Sequence, residues 1–80
     1  MDITVYAKTD CPWCEDLLKY MDSEGYKYTL KNVTENEAFF QEMVRRTGQE
    51  KAPVVEIDGK FLIDTDKNEV GDYLINIVKK

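Results

Sequence analysis

Two residues of this chain can carry covalent chemistry at neutral pH: Cys11 and Cys14, separated by Pro12 and Trp13. A C-x-x-C pair admits three uses. It can be half of a zinc site shared by two chains, an inert structural bridge, or a redox pair that cycles between dithiol and disulfide. Structural zinc takes four Cys or His ligands. This chain has two cysteines and no histidine, so no single chain completes such a site. A bridge closing so small a ring removes little unfolded-state entropy. The redox use is favoured. The missing histidine also excludes Ser/His and Cys/His nucleophile–base pairs.

Redox work needs one cysteine held as a reactive thiolate, and the flanking sequence provides a place for it. Asp2 to Tyr6 alternates with Ile3 and Val5 apolar, which reads as a strand. A short loop follows, and Pro12 suits the first turn of a helix. Cys14, Leu17, Leu18 and Met21 then recur at helical spacing, with Gly25 as the stop. Cys11 thus sits at a helix start, where free N–H groups and the helix dipole favour an anion. The thiolate is the nucleophilic form of cysteine. Cys11 is expected to attack a disulfide and Cys14, one turn inward, to resolve the mixed disulfide. Lys8 adds positive charge nearby, while Asp10, Glu15 and Asp16 oppose the thiolate. Trp13 is expected to be exposed beside the pair.

The rest of the chain must supply a scaffold. Tyr26 to Val33 reads as a second strand. Thr34 to Glu37 reads as a capping box, opening a helix to Thr47 with Phe39, Phe40, Met43 and Val44 inward and Gly48 at its end. Pro53–Ile57 and Phe61–Ile63 read as strands joined by an Asp58-Gly59 hairpin turn. A last helix opens at Asp66–Glu69. Its apolar stripe is Val70, Tyr73, Leu74, Ile77 and Val78, and Lys79 and Lys80 suit its negative end. The order β-α-β-α-β-β-α predicts an α/β fold. Its first two strands are parallel, its last two form an antiparallel hairpin, and helices cover the resulting four-stranded mixed sheet.

With 80 residues there is room for one domain, 1–80. The chain is 42% hydrophobic and 34% charged, the composition of a folded protein. Its formal charge of −5 disfavours general binding to nucleic acid or anionic membranes. No apolar run reaches the ~18–20 residues of a membrane span. Met1-Asp2-Ile3-Thr4 does not open a signal peptide, so the expected location is cytoplasmic.

Lys8-Thr9-Asp10-Cys11-Pro12-Trp13-Cys14 after a first strand resembles the glutaredoxin family's K-x-x-C-P-Y-C pattern. Ala52-Pro53-Val54-Val55-Glu56-Ile57-Asp58-Gly59 resembles its T-V-P strand, and Thr65-Asp66 its T-D pair before the last helix. The resemblance spans essentially the whole chain. It implies a thioredoxin-like fold with sheet order 2-1-3-4, the last strand antiparallel, flanked by three helices. It also implies a monomer that uses glutathione as co-substrate, with no tightly bound cofactor and no metal. The implied glutathione site comprises Lys8 and Trp13 at the glycine end, the Ala52 backbone at the cysteinyl part, and Thr65 and Asp66 at the γ-glutamyl end. Pro53 would be cis and would face the cysteines. The implied substrates are disulfide-bonded or glutathionylated proteins.

The chain departs from the pattern in three places. Trp13 stands for tyrosine, and Lys51-Ala52 for Thr-Val. Leu62-Ile63-Asp64 stands where the family has Gly-Gly, whose missing side chains let the backbone approach glutathione. An alternative within the same chemistry is a glutaredoxin-like hydrogen donor, for example for ribonucleotide reductase, that is reduced by thioredoxin reductase. Such donors typically carry C-V-x-C and W-S-G-F-R-P, which this chain lacks. A third reading, an iron–sulfur carrier, usually shows C-G-F-S, and Pro12 and Cys14 argue against it.

Overall fold

A computed structural model describes residues 2–78. The elements run β1 (Ile3–Ala7), α1 (Pro12–Ser23), β2 (Thr29–Asn32), α2 (Glu37–Thr47), β3 (Val54–Ile57), β4 (Lys60–Ile63) and α3 (Lys67–Val78). The sheet order is β2-β1-β3-β4. β1 pairs parallel with β2 and antiparallel with β3, and β3 pairs antiparallel with β4. This is the thioredoxin-like arrangement that the sequence resemblance implied.

The alternation in β1 suggests a half-buried strand, yet Tyr6 and Ala7 are buried as fully as Ile3 and Val5. The cause is the strand's central position, with an apolar layer on each side. On one face Ile3, Val5, Ala7, Val55 and Ile57 meet Cys14, Leu17 and Met21 of α1 and Val70 and Leu74 of α3. On the other, Tyr6 and Val54 meet Met43 of α2, with Val33, Phe39, Phe40 and Phe61. Each fully buried Leu, Val or Met contributes roughly 1.5–3 kcal/mol. The face carrying α1 also buries Cys14, so this thiol is part of the core.

The expected strand Tyr26–Val33 shortens to four residues at Thr29–Asn32. The Tyr26 N–H closes the end of α1 on the Met21 carbonyl at 3.0 Å, and the Tyr26 and Tyr28 rings pack on the core instead of extending the ladder. The expected Thr34 cap is also displaced. Asn36 is the N-cap of α2, and its side chain accepts the N–H groups of Ala38 and Phe39. The expected cap of α3 holds, with Asp66 Oδ1 accepting the Glu69 N–H at 2.9 Å. Asp58 and Gly59 both have positive φ, as a two-residue hairpin of the favoured hand requires. In α3, Val70 and Leu74 are buried and Tyr73 and Ile77 half-buried. Lys79, Lys80 and the Val78 side chain lie outside the described residues.

Beneath α2 a polar network crosses the second face of the sheet. The buried Tyr6 hydroxyl donates to Glu42 at 2.5 Å and accepts from Arg46 at 3.2 Å. Lys31 reaches Glu42 at 2.6 Å, and Arg46 grips Glu56 through two bonds of 2.9 and 2.8 Å. Lys31 and the tyrosine hold the Glu42 carboxyl below its usual range, and burial foremost raises the Tyr6 phenol. The network fixes α2 to β1, β2 and β3.

Candidate active site

β1 delivers the chain to the edge of the sheet, and residues 8–11 turn it into α1. Cys11 takes the N-cap position in extended conformation, φ −112° and ψ 104°. Its Sγ accepts the Cys14 N–H at 3.3 Å, and its carbonyl accepts the Glu15 N–H at 3.0 Å. A sulfur at this point faces the unpaired donors of the first helical turn, which stabilise negative charge. Cys11 is partly exposed and Cys14 fully buried, and both are free thiols. Burial, then the neighbouring Cys11 sulfur, pushes the Cys14 thiol up to about 12, against the opposing pull of the Lys8 backbone N–H. The two sulfurs are therefore unequal: one accessible at a helix start, the other a protonated thiol in the core.

Topology carries the proline segment to the same end of the sheet. Tyr6 faces Val54 in the β1–β3 ladder, so Pro53 follows on beside the exit of β1 toward Cys11. The Ala52–Pro53 bond is cis, as the resemblance implied, and Ala52 and Cys11 pack on the same apolar cluster. Val54 faces Ile63 across the hairpin, and the Thr65 N–H donates to the Pro53 carbonyl at 3.2 Å. The corner ahead of α3 is thereby tied to Pro53.

Of the site residues read from the sequence, Cys11, Cys14, Ala52, Pro53, Thr65 and Asp66 come together at this end of the sheet. Trp13 is 65% exposed on the first turn of α1, and Lys8 is exposed on the loop before Cys11. Thr65 is turned inward: it is buried, and its hydroxyl donates to the Glu69 carboxylate. Its side chain thus secures the start of α3 and does not face solvent. Asp66 spends one carboxylate oxygen on the helix cap.

The structure adds the Lys51 partner and backbone angle of Asp64, and the Gln49 contacts, to what the sequence showed. Asp64, at the Gly-Gly position, takes φ +53°, so it keeps the left-handed backbone that glycine would give. Its carboxylate lies 4.0 Å from Lys51 Nζ. The Asp58-Gly59 turn fixes the hairpin register that sets residue 64 beside residue 53, and that register was the available signal. Gln49 also brackets Lys51: its side-chain amide accepts the Lys51 N–H at 2.5 Å and donates to the Lys51 carbonyl at 3.1 Å. It shapes the approach to the cis bond. Among the described residues no group of three His, Cys, Asp or Glu is placed to hold a metal, and no helix is long and apolar enough to cross a membrane.

Known proteins resemble this chain in sequence and fold. A glutaredoxin-like 8.6 kDa protein from the rubredoxin operon of Clostridium pasteurianum is 32% identical over 73 residues, which cover 91% of this chain and 96% of the relative. A buckwheat glutaredoxin in complex with glutathione superimposes with a TM-score of 0.71 at 25% identity, covering 92% of this chain and 68% of that one. NrdH-redoxin from Escherichia coli, a glutaredoxin-like protein with a thioredoxin-like activity profile, superimposes with a TM-score of 0.74 at 24% identity, covering 90% of this chain and 93% of that one. The glutaredoxin family profile matches residues 3–62, from the first residue of β1 into β4, and so takes in both cysteines and the cis proline. On that match, and on a dithiol set at the start of α1 beside Pro53, the chain belongs to the glutaredoxin family.

Proposed function

We propose that this protein is a glutathione-dependent thiol–disulfide oxidoreductase acting on glutathionylated or disulfide-bonded proteins. The observation that carries the reading is the inequality of the two sulfurs: Cys11 accessible at the helix start, Cys14 buried and protonated. In the one-cysteine reaction the Cys11 thiolate attacks the glutathionyl sulfur of a mixed disulfide. A Cys11–glutathione disulfide forms, and the protein thiolate leaves and takes a proton from water. A second glutathione thiolate attacks that disulfide, releasing glutathione disulfide and the Cys11 thiolate. In the two-cysteine reaction Cys11 joins one sulfur of a protein disulfide and the other sulfur departs as thiolate. Cys14 loses its proton and attacks Cys11, freeing the reduced substrate. Two glutathiones then reduce the Cys11–Cys14 bond, giving one glutathione disulfide.

Glutathione is assigned to the surface between Trp13, Ala52–Pro53 and the start of α3. Lys8 meets its glycine carboxylate, the Ala52 backbone its cysteinyl part, and the Thr65–Asp66 corner its γ-glutamyl end. A redox dithiol of this kind suits a reducing compartment such as the cytoplasm, and the protein is assigned as a monomer. The second reading is a donor to an enzyme such as ribonucleotide reductase, with thioredoxin reductase as its own reductant. One observation favours it: Asp64 occupies the place of a glycine at the γ-glutamyl end.

Serine variants test the division of roles. Cys11→Ser should abolish reduction of a glutathionylated peptide and of a protein disulfide. Cys14→Ser should retain the first and lose the second. Equal losses on both substrates in both variants would overturn the assignment.

A further inference from the structure

The loop that carries Cys11 has no ladder of its own beyond Ala7 and bends at Asp10, whose φ is +57°. Its geometry must be held from outside, and the β2–α2 connection holds it. The Thr34 Oγ1 accepts the Thr9 N–H at 3.1 Å, and the Asn32 amide donates to the Thr9 hydroxyl at 3.2 Å. Asn32 Oδ1 in turn accepts the N–H groups of Thr34 and Glu35 at 2.9 and 3.0 Å. Just before them, the Val33 N–H donates to the Ala7 carbonyl at 2.9 Å. Both the N–H and the hydroxyl of Thr9 are thus taken by one neighbouring loop, two residues from the nucleophile. The Thr34 hydroxyl is free for this task because Asn36 caps α2 in its place.

We propose that Thr34, braced by Asn32, is a positioning residue for Cys11. It fixes the bend at Asp10 so that the sulfur stays on the Cys14 N–H at the helix start. Thr9 and Thr34 are both exposed, so their bonds add little to the stability of the core. Their effect falls on the local geometry of residues 9–11. Without the Thr34 oxygen the segment samples other backbone angles, the sulfur spends less time facing the helix N–H groups, and its thiolate loses their support.

The inference rests on Cys11 as the nucleophile but not on the identity of the reductant. Its test therefore uses iodoacetamide, with no glutathione present. Thr34→Val keeps the branched shape and removes the acceptor. It should slow Cys11 alkylation at pH 7 by about three- to ten-fold, the weight of one hydrogen bond. Thr34→Ser should restore the rate, and Thr9→Val, which removes the Asn32 contact, should slow it as well. Melting temperatures should stay within about 3 °C of the parent. Unchanged alkylation in both valine variants would overturn the proposal. So would a serine variant as slow as the valine one, or slowing that tracks a loss of global stability. A Thr34→Val chain that fails to fold would also overturn it, since the hydroxyl would then be a structural group of the whole domain.

Discussion

Replacing Asp64 tests the proposed glutathione site. The residue combines a positive φ of +53°, a negative charge and a neighbouring Lys51 ammonium at 4.0 Å. Two unit charges at that distance attract by about 1 kcal/mol in bulk water. Both side chains are well exposed, 75% for Lys51 and 59% for Asp64, so screening leaves only a fraction of that. The pair therefore matters little to stability. It matters to a ligand that brings two carboxylates to a protein of charge −5. Removing the Asp64 charge takes away a repulsion of ~0.5–1 kcal/mol and releases Lys51 to meet a carboxylate, together a few-fold in affinity. Asp64→Asn isolates the charge, since asparagine tolerates the left-handed backbone as aspartate does. Asp64→Gly adds relief of backbone strain, offset by greater unfolded-state freedom. In steady-state assays with a glutathionylated peptide, both variants should lower KM for glutathione by a few-fold. Lys51→Ala should raise it, and none should change the alkylation rate of Cys11. If all three variants keep the parent KM and Lys8→Ala keeps it too, glutathione does not bind here.

The buried groups set the remaining expectations. Burial holds the Cys14 thiol above its ordinary range, and it must lose its proton before it can resolve a mixed disulfide. Resolution should therefore quicken roughly tenfold per pH unit between about pH 6 and 9. Stopped-flow release of a trapped protein substrate measures this, and a flat profile would show that another step limits. The same elevation has a stability sign. Cys14 contributes fully below its unfolded value of ~8.5, and the contribution is lost as pH rises from there toward about 12, a decline visible in alkaline denaturation of the reduced protein. Glu42 has the opposite sign. Its stabilisation is present above the ordinary carboxylate range of ~4.3 and disappears as pH falls through its lowered folded value, so Glu42→Gln should flatten acid unfolding. Glu42→Ala should cost about 1–3 kcal/mol in urea melts, because the buried Tyr6 hydroxyl loses its acceptor. Gly71→Ala places a Cβ 2.7 Å from the Tyr20 hydroxyl, so the ring must shift, and the gain in helix propensity should hold the net change to within about 1 kcal/mol. A larger loss in urea melts would mean that the Tyr20 ring is locked in place.

Strong local signals in the sequence determine the order and type of the elements. Helical spacing of Cys14, Leu17 and Met21 located α1, Asp58-Gly59 located the hairpin, and a helix between the first two strands made their pairing parallel. Boundaries moved where tertiary contacts competed with local preference. Tyr26 and Tyr28 have strand propensity but serve as packing rings, and Thr34 has the spacing of a cap but its oxygen is taken by Thr9. The dithiol was legible because motif and element order pointed to one place, and the cis proline only through the family resemblance. The Lys51–Asp64 pair and the Thr9–Asn32–Thr34 contacts were not. Each joins two loops far apart in sequence, through polar side chains that carry no periodicity.

In the proposed function, glutathione returns this dithiol to its reduced state. A coupled assay on a small disulfide measures it directly, with NADPH oxidation followed in two arms. One arm contains glutathione and glutathione reductase, the other thioredoxin reductase alone. Steady turnover is expected in the glutathione arm, abolished by Cys11→Ser, and none above background in the other. Turnover with thioredoxin reductase and none with glutathione would contradict the claim.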